Sequence, residues 1–221
     1  MHPRSCDRKK GCMSKLFKLF CKSFCIEKGN IKRIAVSDNN ISFSVESVSM
    51  TDKIDVLISE DVIDARIREL AAQIDADYAG ESITLLCTLK GAVFFACELA
   101  KRITIPVFMD FIQTASYEGT QSTGTVSMKL DVPDEAIEGK HIIIIEDVID
   151  TGRTLSVVKE MMLKRKPASL KVCSLLDKHE CRVVPFDGDY IGFTIGNDFV
   201  VGYGLDVDQK YRNLPFVGIV Q

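Results

Sequence analysis

IIIIEDVIDTGRT, from Ile142 to Thr154, is the stretch that decides the fold. Four consecutive isoleucines leave no room for a polar face, so they read as a strand buried on both sides. Glu146 and Asp147 follow at once, where that strand is expected to emerge into water. The turn Asp150-Thr151-Gly152-Arg153-Thr154 then opens a helical pattern. Strand, acidic tip, glycine-containing turn and helix start together describe the carboxyl edge of a parallel sheet, where anions bind. Gly152 lets the backbone come close to a ligand because it carries no Cβ. The hydroxyls of Thr151 and Thr154, with successive backbone N–H groups, can surround a phosphate, and Arg153 can add charge. Glu146 and Asp147 can accept hydrogen bonds from two sugar hydroxyls or hold Mg²⁺. Asp150 is near enough to face the same pocket and exchange a proton.

Outward from this block the chain alternates helix and strand. Ser59 is placed to cap a helix whose first turn holds Glu60 and Asp61. Ile63, Ile67, Leu70, Ala71, Ile74 and Tyr78 recur at helical spacing, and Gly80 stops the helix. Strands are expected at 83–88, 107–113, 125–130, 142–145, 170–176, 190–194 and 199–203, with helices at 91–101 and 154–164. Residues 114–124 are small and polar and read as a mobile loop. The β-α-β alternation implies an α/β fold with a central, mostly parallel sheet flanked by helices.

The net charge of −3 hides a split: residues 1–49 carry +6 and residues 50–221 carry −9. An acidic body argues against a general nucleic-acid binder. No run approaches the roughly 18 apolar residues of a spanning helix, and Lys15, Lys18 and Lys22 interrupt any signal-peptide core. The 8 cysteines match no zinc spacing, so reduced thiols in a cytoplasm are the default. Cys87, Cys97, Cys173 and Cys181 lie in apolar segments and read as small hydrophobes. Residues 1–49 read as a basic, disordered extension, with 37–49 as a linker, or as an over-extended reading frame ahead of Met50. Within it, Leu16, Phe17, Phe20 and Phe24 would share a helical face fit for an anionic membrane surface. Residues 50–221 form the candidate folded domain and call for no membrane.

EDVIDTGRT resembles the ribose-phosphate signature of type I phosphoribosyltransferases. Four further segments match in order: LKGA at 89–92, SYEGTQSTG at 116–124, LLDK at 175–178 and FVVGYGLDVDQKYRNLP at 199–215. Together they make residues 50–221 similar to the bacterial-type hypoxanthine(-guanine) phosphoribosyltransferases. That resemblance implies the type I fold with a small hood region. It implies purine salvage: transfer from 5-phosphoribosyl 1-diphosphate to hypoxanthine and guanine, giving IMP or GMP and diphosphate.

It also implies roles. Glu146 and Asp147 would hold the ribose hydroxyls and Mg²⁺, and residues 150–154 the 5′-phosphate. Asp150 would take the proton of purine N7. Lys178 would donate to the 6-oxo group, Phe199 would stack on the base, and the Val200 backbone would bond its edge. Asp206 would position a second Mg²⁺. Arg212 and the Lys90-Gly91 backbone would grip diphosphate, with Leu89-Lys90 cis. Ser116 and Tyr117 would start a lid, with Gly119 and Gly124 as hinges. A homodimer or homotetramer is implied on the same basis. Two rivals remain at this stage: a xanthine-preferring 6-oxopurine transferase, and a catalytically silent regulatory protein of this fold that binds nucleic acid.

Overall fold

The computed structural model describes residues 24–27, 30–33, 35–37, 40–42, 53–116 and 126–221. The chain divides into two units, Met1–Asp52 and Lys53–Gln221. In the first, β1 (Phe24–Glu27) pairs antiparallel with β2 (Asn30–Arg33), and β3 (Ala35–Ser37) with β4 (Asn40–Ser42). Sequence reading places no strands there. Phe24 therefore opens a strand, whereas Leu16, Phe17 and Phe20 lie outside the described residues.

The second unit runs β5 (Ile54–Ile58), α1 (Glu60–Asp77), β6 (Ile83–Thr88), α2 (Val93–Ala100), β7 (Val107–Ser116), β8 (Val126–Leu130) and β9 (His141–Ile149). It continues with α3 (Arg153–Leu163), β10 (Ser169–Asp177), β11 (Tyr190–Thr194), β12 (Val200–Val201) and β13 (Val217–Val220). Among the described residues, β11-β10-β9-β6-β7-β8 form one sheet, parallel except for β8 at its edge. A smaller antiparallel sheet, β12-β13-β5, pairs the two ends of the unit and forms the hood.

The four isoleucines explain the layering. Side chains alternate across a strand, so Ile143 and Ile145 join the core beneath α1 and α2, with Leu85, Phe95 and Leu175. Ile142 and Ile144 join the core beneath α3, with Leu86, Ile112 and Val158. All six apolar positions expected along α1 are buried. Ser59 does stand at the N-cap of α1, but its hydroxyl makes no capping bond, and the acidic first turn acts alone on the helix dipole.

Four expectations need correction. The strand expected at 199–203 is only Val200–Val201, because Gly202 and Tyr203 turn with positive φ. The central strand does not end at Ile145; it continues through Glu146 and Asp147 to Ile149, because β10 goes on pairing with it through Ser174↔Glu146, Leu176↔Val148 and Asp177↔Ile149. Residues 114–116 belong to β7 rather than to a loop, since β8 pairs with them. Cys97 is exposed on α2, whereas Cys87 and Cys173 are buried, and burial pushes the Cys87 thiol up to about 12. No helix among the described residues is long and apolar enough to cross a membrane.

Candidate active site

The acidic pair occupies a notch in the sheet. Pairing of β9 with β6 ends at Cys87↔Ile145, where the Thr88 hydroxyl donates to the Ile145 carbonyl at 2.9 Å. From Glu146 onward β9 keeps β10 on one side and has lost β6 on the other. The chain leaving β6, residues 89–92, turns over this gap through a cis Leu89-Lys90 peptide. A cleft of about 200 Å³ results, lined by Thr88, Leu89, Thr114, Glu146, Val148, Ile149, Asp150, Thr151, Gly152, Thr154 and Leu155. The sequence block thus supplies most of the lining, and Thr88, Leu89 and Thr114 are additions that only neighbouring strands could bring.

Burial pushes the Glu146 carboxyl well above the usual carboxylate range, the Asp147 charge pushes it further, and the Thr88 hydroxyl works weakly against both. Asp147 turns toward residues 89–92: a Cβ placed on Gly91 would lie 1.5 Å from its Oδ2. Its Oδ1 accepts from the Val148 N–H at 2.8 Å, which orients the carboxylate. A stability consequence follows. At low pH Glu146 is protonated whether folded or not and costs nothing. As pH rises past the ordinary glutamate value, the unfolded chain gives up this proton while the folded chain keeps it beside Asp147, so stability falls until the raised folded value is reached. Glu146→Gln should therefore raise the Tm of the ligand-free protein more at pH 8 than at pH 5, by about 2–4 °C per kcal/mol relieved. Thermal melts at the two pH values check this, and an equal gain at both would refute it.

The turn after β9 takes its shape from Gly152, at φ 77° and ψ −12°, a left-handed conformation unfavourable for a residue with a Cβ. A Cβ there would also meet Phe186 Cβ at 2.9 Å and the Val184 carbonyl at 3.1 Å. Gly152 is the N-cap of α3, whose first amides have no partner within the helix. Thr151 accepts from the Arg153 N–H at 3.4 Å; Arg153 and Thr154 are exposed, and so is Asp150. Unpaired amides and hydroxyls at a helix start are the kind of groups that can hold an anion.

Lys178 leaves the end of β10 beside Asp150, because its N–H donates to the Ile149 carbonyl at 2.9 Å. Its side chain is half-buried. Phe199 is 59% exposed, an apolar ring facing open space, whereas Val200 is buried in β12 against Ile219 of β13. Arg212 and Asp206 pair with each other at 2.6 Å, and Arg212 also donates to the Gly204 carbonyl at 2.6 Å. Among the described residues Arg212 Nε has no hydrogen-bond partner, and it is buried. Asp206 accepts from the Gln209 N–H at 2.8 Å, and exposed Lys90 reaches Gln209 Oε1 at 3.0 Å. Gly204, at φ 102°, abuts Gly91: a Cβ there would lie 2.0 Å from the Gly91 carbonyl oxygen. Gly91 therefore sits between Asp147 and Gly204 and draws the acidic pair, the LKGA turn and the 199–215 segment together. Ser116 ends β7, and Tyr117, Gly119 and Gly124 lie outside the described residues.

Sequence reasoning missed Arg182, whose guanidinium bonds across residues 149–186. Nothing in HECR marks it, since its partners are mostly backbone carbonyls. Among the described residues no three His, Cys, Asp or Glu side chains converge to hold a metal. The adjacent carboxylates of Glu146 and Asp147 are hard oxygen donors of the kind Mg²⁺ would need, and substrate and water would have to complete its shell.

Comparison with known proteins gives a consistent result. A family model for the phosphoribosyl transferase domain matches residues 49–208. The chain is 46% identical over 167 residues to the hypoxanthine-guanine phosphoribosyltransferase of Streptococcus pneumoniae R6, covering 75% of this chain and 92% of that one. It is 47% identical over the same shares to that of Streptococcus thermophilus CNRZ 1066. The crystal structure of a hypoxanthine-guanine phosphoribosyltransferase from Bacillus anthracis superposes with a TM-score of 0.73 at 44% identity, over 76% of this chain and all of that one.

Proposed function

The chain belongs to the phosphoribosyl transferase family, and on that premise we propose that it is a purine-salvage enzyme. It transfers the 5-phosphoribosyl group of 5-phosphoribosyl 1-diphosphate to hypoxanthine and to guanine, forming IMP or GMP and diphosphate. The observation that carries this reading is the joining of the acidic notch, the Gly152 cradle and Lys178 along one sheet edge. The reading assigns activity to residues 50–221, places residues 1–49 outside it as a basic extension, and locates the protein in the cytoplasm as a homodimer or homotetramer.

In this mechanism the amides and hydroxyls of residues 150–154 hold the 5′-phosphate, and Glu146 and Asp147 accept bonds from the ribose hydroxyls. Phe199 stacks on the base, the backbone of Val200 bonds its edge, and Lys178 donates to the 6-oxo oxygen, a contact an amino group would not accept. Asp150 takes the N7 proton as N9 bonds to C1′ and the C1′–oxygen bond to diphosphate breaks. Arg212 and the Lys90-Gly91 backbone receive the diphosphate, and the Arg212 Nε, unpartnered among the described residues, supports that role. Glu146 and Asp147 would hold Mg²⁺, and Asp206 would help hold a second; the bound ions would supply charge neutralisation for the leaving group. Steady-state diphosphate release with hypoxanthine, guanine, xanthine and adenine tests the reading. Turnover with the first two is expected; preference for xanthine or adenine, or no turnover, refutes it.

A further inference from the structure

Chains β9 and β10 run side by side until Asp177↔Ile149, then part: one enters the phosphate turn, the other a single 3₁₀ turn, His179–Cys181. Arg182 bridges the fork. Its Nη1 donates to the carbonyls of Ile149 at 2.8 Å, of Asp150, and of Lys178 at 3.3 Å. Its Nε donates to the Phe186 carbonyl at 2.9 Å, and its Nη2 pairs with Asp177. Nη1 has two hydrogens for three acceptors, so the longest contact, to Lys178, is a shared and weaker one. Both partners of the ion pair are nearly buried, the Arg182 side chain 10% exposed and Asp177 12%. The Val183 N–H donates to the Thr151 carbonyl at 3.0 Å, tying the same segment to the cradle.

We propose that Arg182 is a positioning residue that holds Asp150 and Lys178 at a set separation, matched to the N7 and 6-oxo edge of one 6-oxopurine. The inference rests on the function proposed above. Its physical basis is that Arg182 clamps the backbone carbonyls of both residues while touching neither functional side chain's tip. Two groups that read adjacent atoms of one ring must keep their spacing to within a fraction of an ångström, and a loss of about 1 Å costs up to about 10²-fold in rate. The five N–H donors of a planar guanidinium reach four carbonyls and a carboxylate from one plane. A lysine keeps the charge opposite Asp177 but offers donors from a single point, so it does not replace the clamp.

The test is a double-mutant cycle in the full 221-residue chain, crossing Arg182→Lys with Lys178→Gln. Arg182→Lys should lower kcat/KM for hypoxanthine by about tenfold or more, while Kd for Mg²⁺-5-phosphoribosyl 1-diphosphate stays within about twofold. In the Lys178→Gln background the same change should cost much less, because the spacing has lost one end. Additive losses, or equal losses in turnover and diphosphate-sugar binding, would show a merely structural arginine and overturn the proposal. Should Arg182→Lys fail to fold, Asp177→Asn decides. It frees the guanidinium from its anchor, and the proposal requires hypoxanthine kcat/KM to fall with sugar binding kept; no change, or a uniform loss, sinks it. If the unsubstituted chain releases no diphosphate with hypoxanthine, the function itself falls, whereas an active chain with an additive cycle removes only the role of Arg182.

Discussion

Asp150→Asn should lower kcat with hypoxanthine by about 10²–10⁴-fold, the range a positioned general base contributes. Asparagine has the same shape, so the turn keeps Gly152 in its left-handed conformation and the cradle keeps its amides. The Asp150 carbonyl, which Arg182 holds, is untouched. Binding of IMP should therefore change by no more than a few fold while the chemical step slows, the pattern of a group used in the transition state only. Single-turnover rates and IMP titrations separate the two quantities. A variant that turns over at the wild-type rate would remove Asp150 from the chemistry.

Gly91→Ala should be nearly as damaging, for a steric reason. The new Cβ would fall 1.5 Å from Asp147 Oδ2 and 2.6 Å from its Cγ, well inside contact distance. On the other flank the Gly91 carbonyl is already pressed by Gly204, so the backbone has little room to retreat. The Asp147 carboxylate must swing out of the notch, away from the ribose and the Mg²⁺ it is proposed to hold. An expected loss of about 10²-fold in kcat/KM for 5-phosphoribosyl 1-diphosphate follows from displacement on that scale, with a higher Mg²⁺ requirement. Gly91 is not in the left-handed region and the added carbon meets a side chain tip rather than core, so the Tm should move little. Gly196→Ala, whose nearest neighbour would be Asp198 Oδ2 at 3.7 Å, is the silent control. Unchanged Mg²⁺ dependence in Gly91→Ala would disprove the account of the notch.

The residues behind these two predictions differ in how visible they were. Asp150 stands in a local motif, and the strand, turn and helix that present it are contiguous. Gly91 could be flagged by family resemblance, yet its contacts with Asp147 and Gly204 join three segments far apart in the chain. Arg182 was invisible because backbone carbonyls, its main partners, carry no sequence signal. The end of the central strand was misplaced because two acids look like a strand end, whereas β10 kept pairing past them. Strands β5 and β13 went unread for a related reason: each is four or five residues long and exists by pairing with the opposite end of the unit.

Sequence alone determined the layers, since the spacing of apolar residues is local and one face of a helix or strand must be dry. It determined the turn at residues 150–154 as well, because a glycine between a strand and a helix start is a property of a few neighbouring residues. Tertiary structure alone decided where β9 loses one neighbour and keeps the other, and so why Glu146 is an acid with a raised pKa in a notch rather than a solvated strand tip. Burial and the field of nearby charges depend on which distant chains arrive, and no local pattern encodes that arrival.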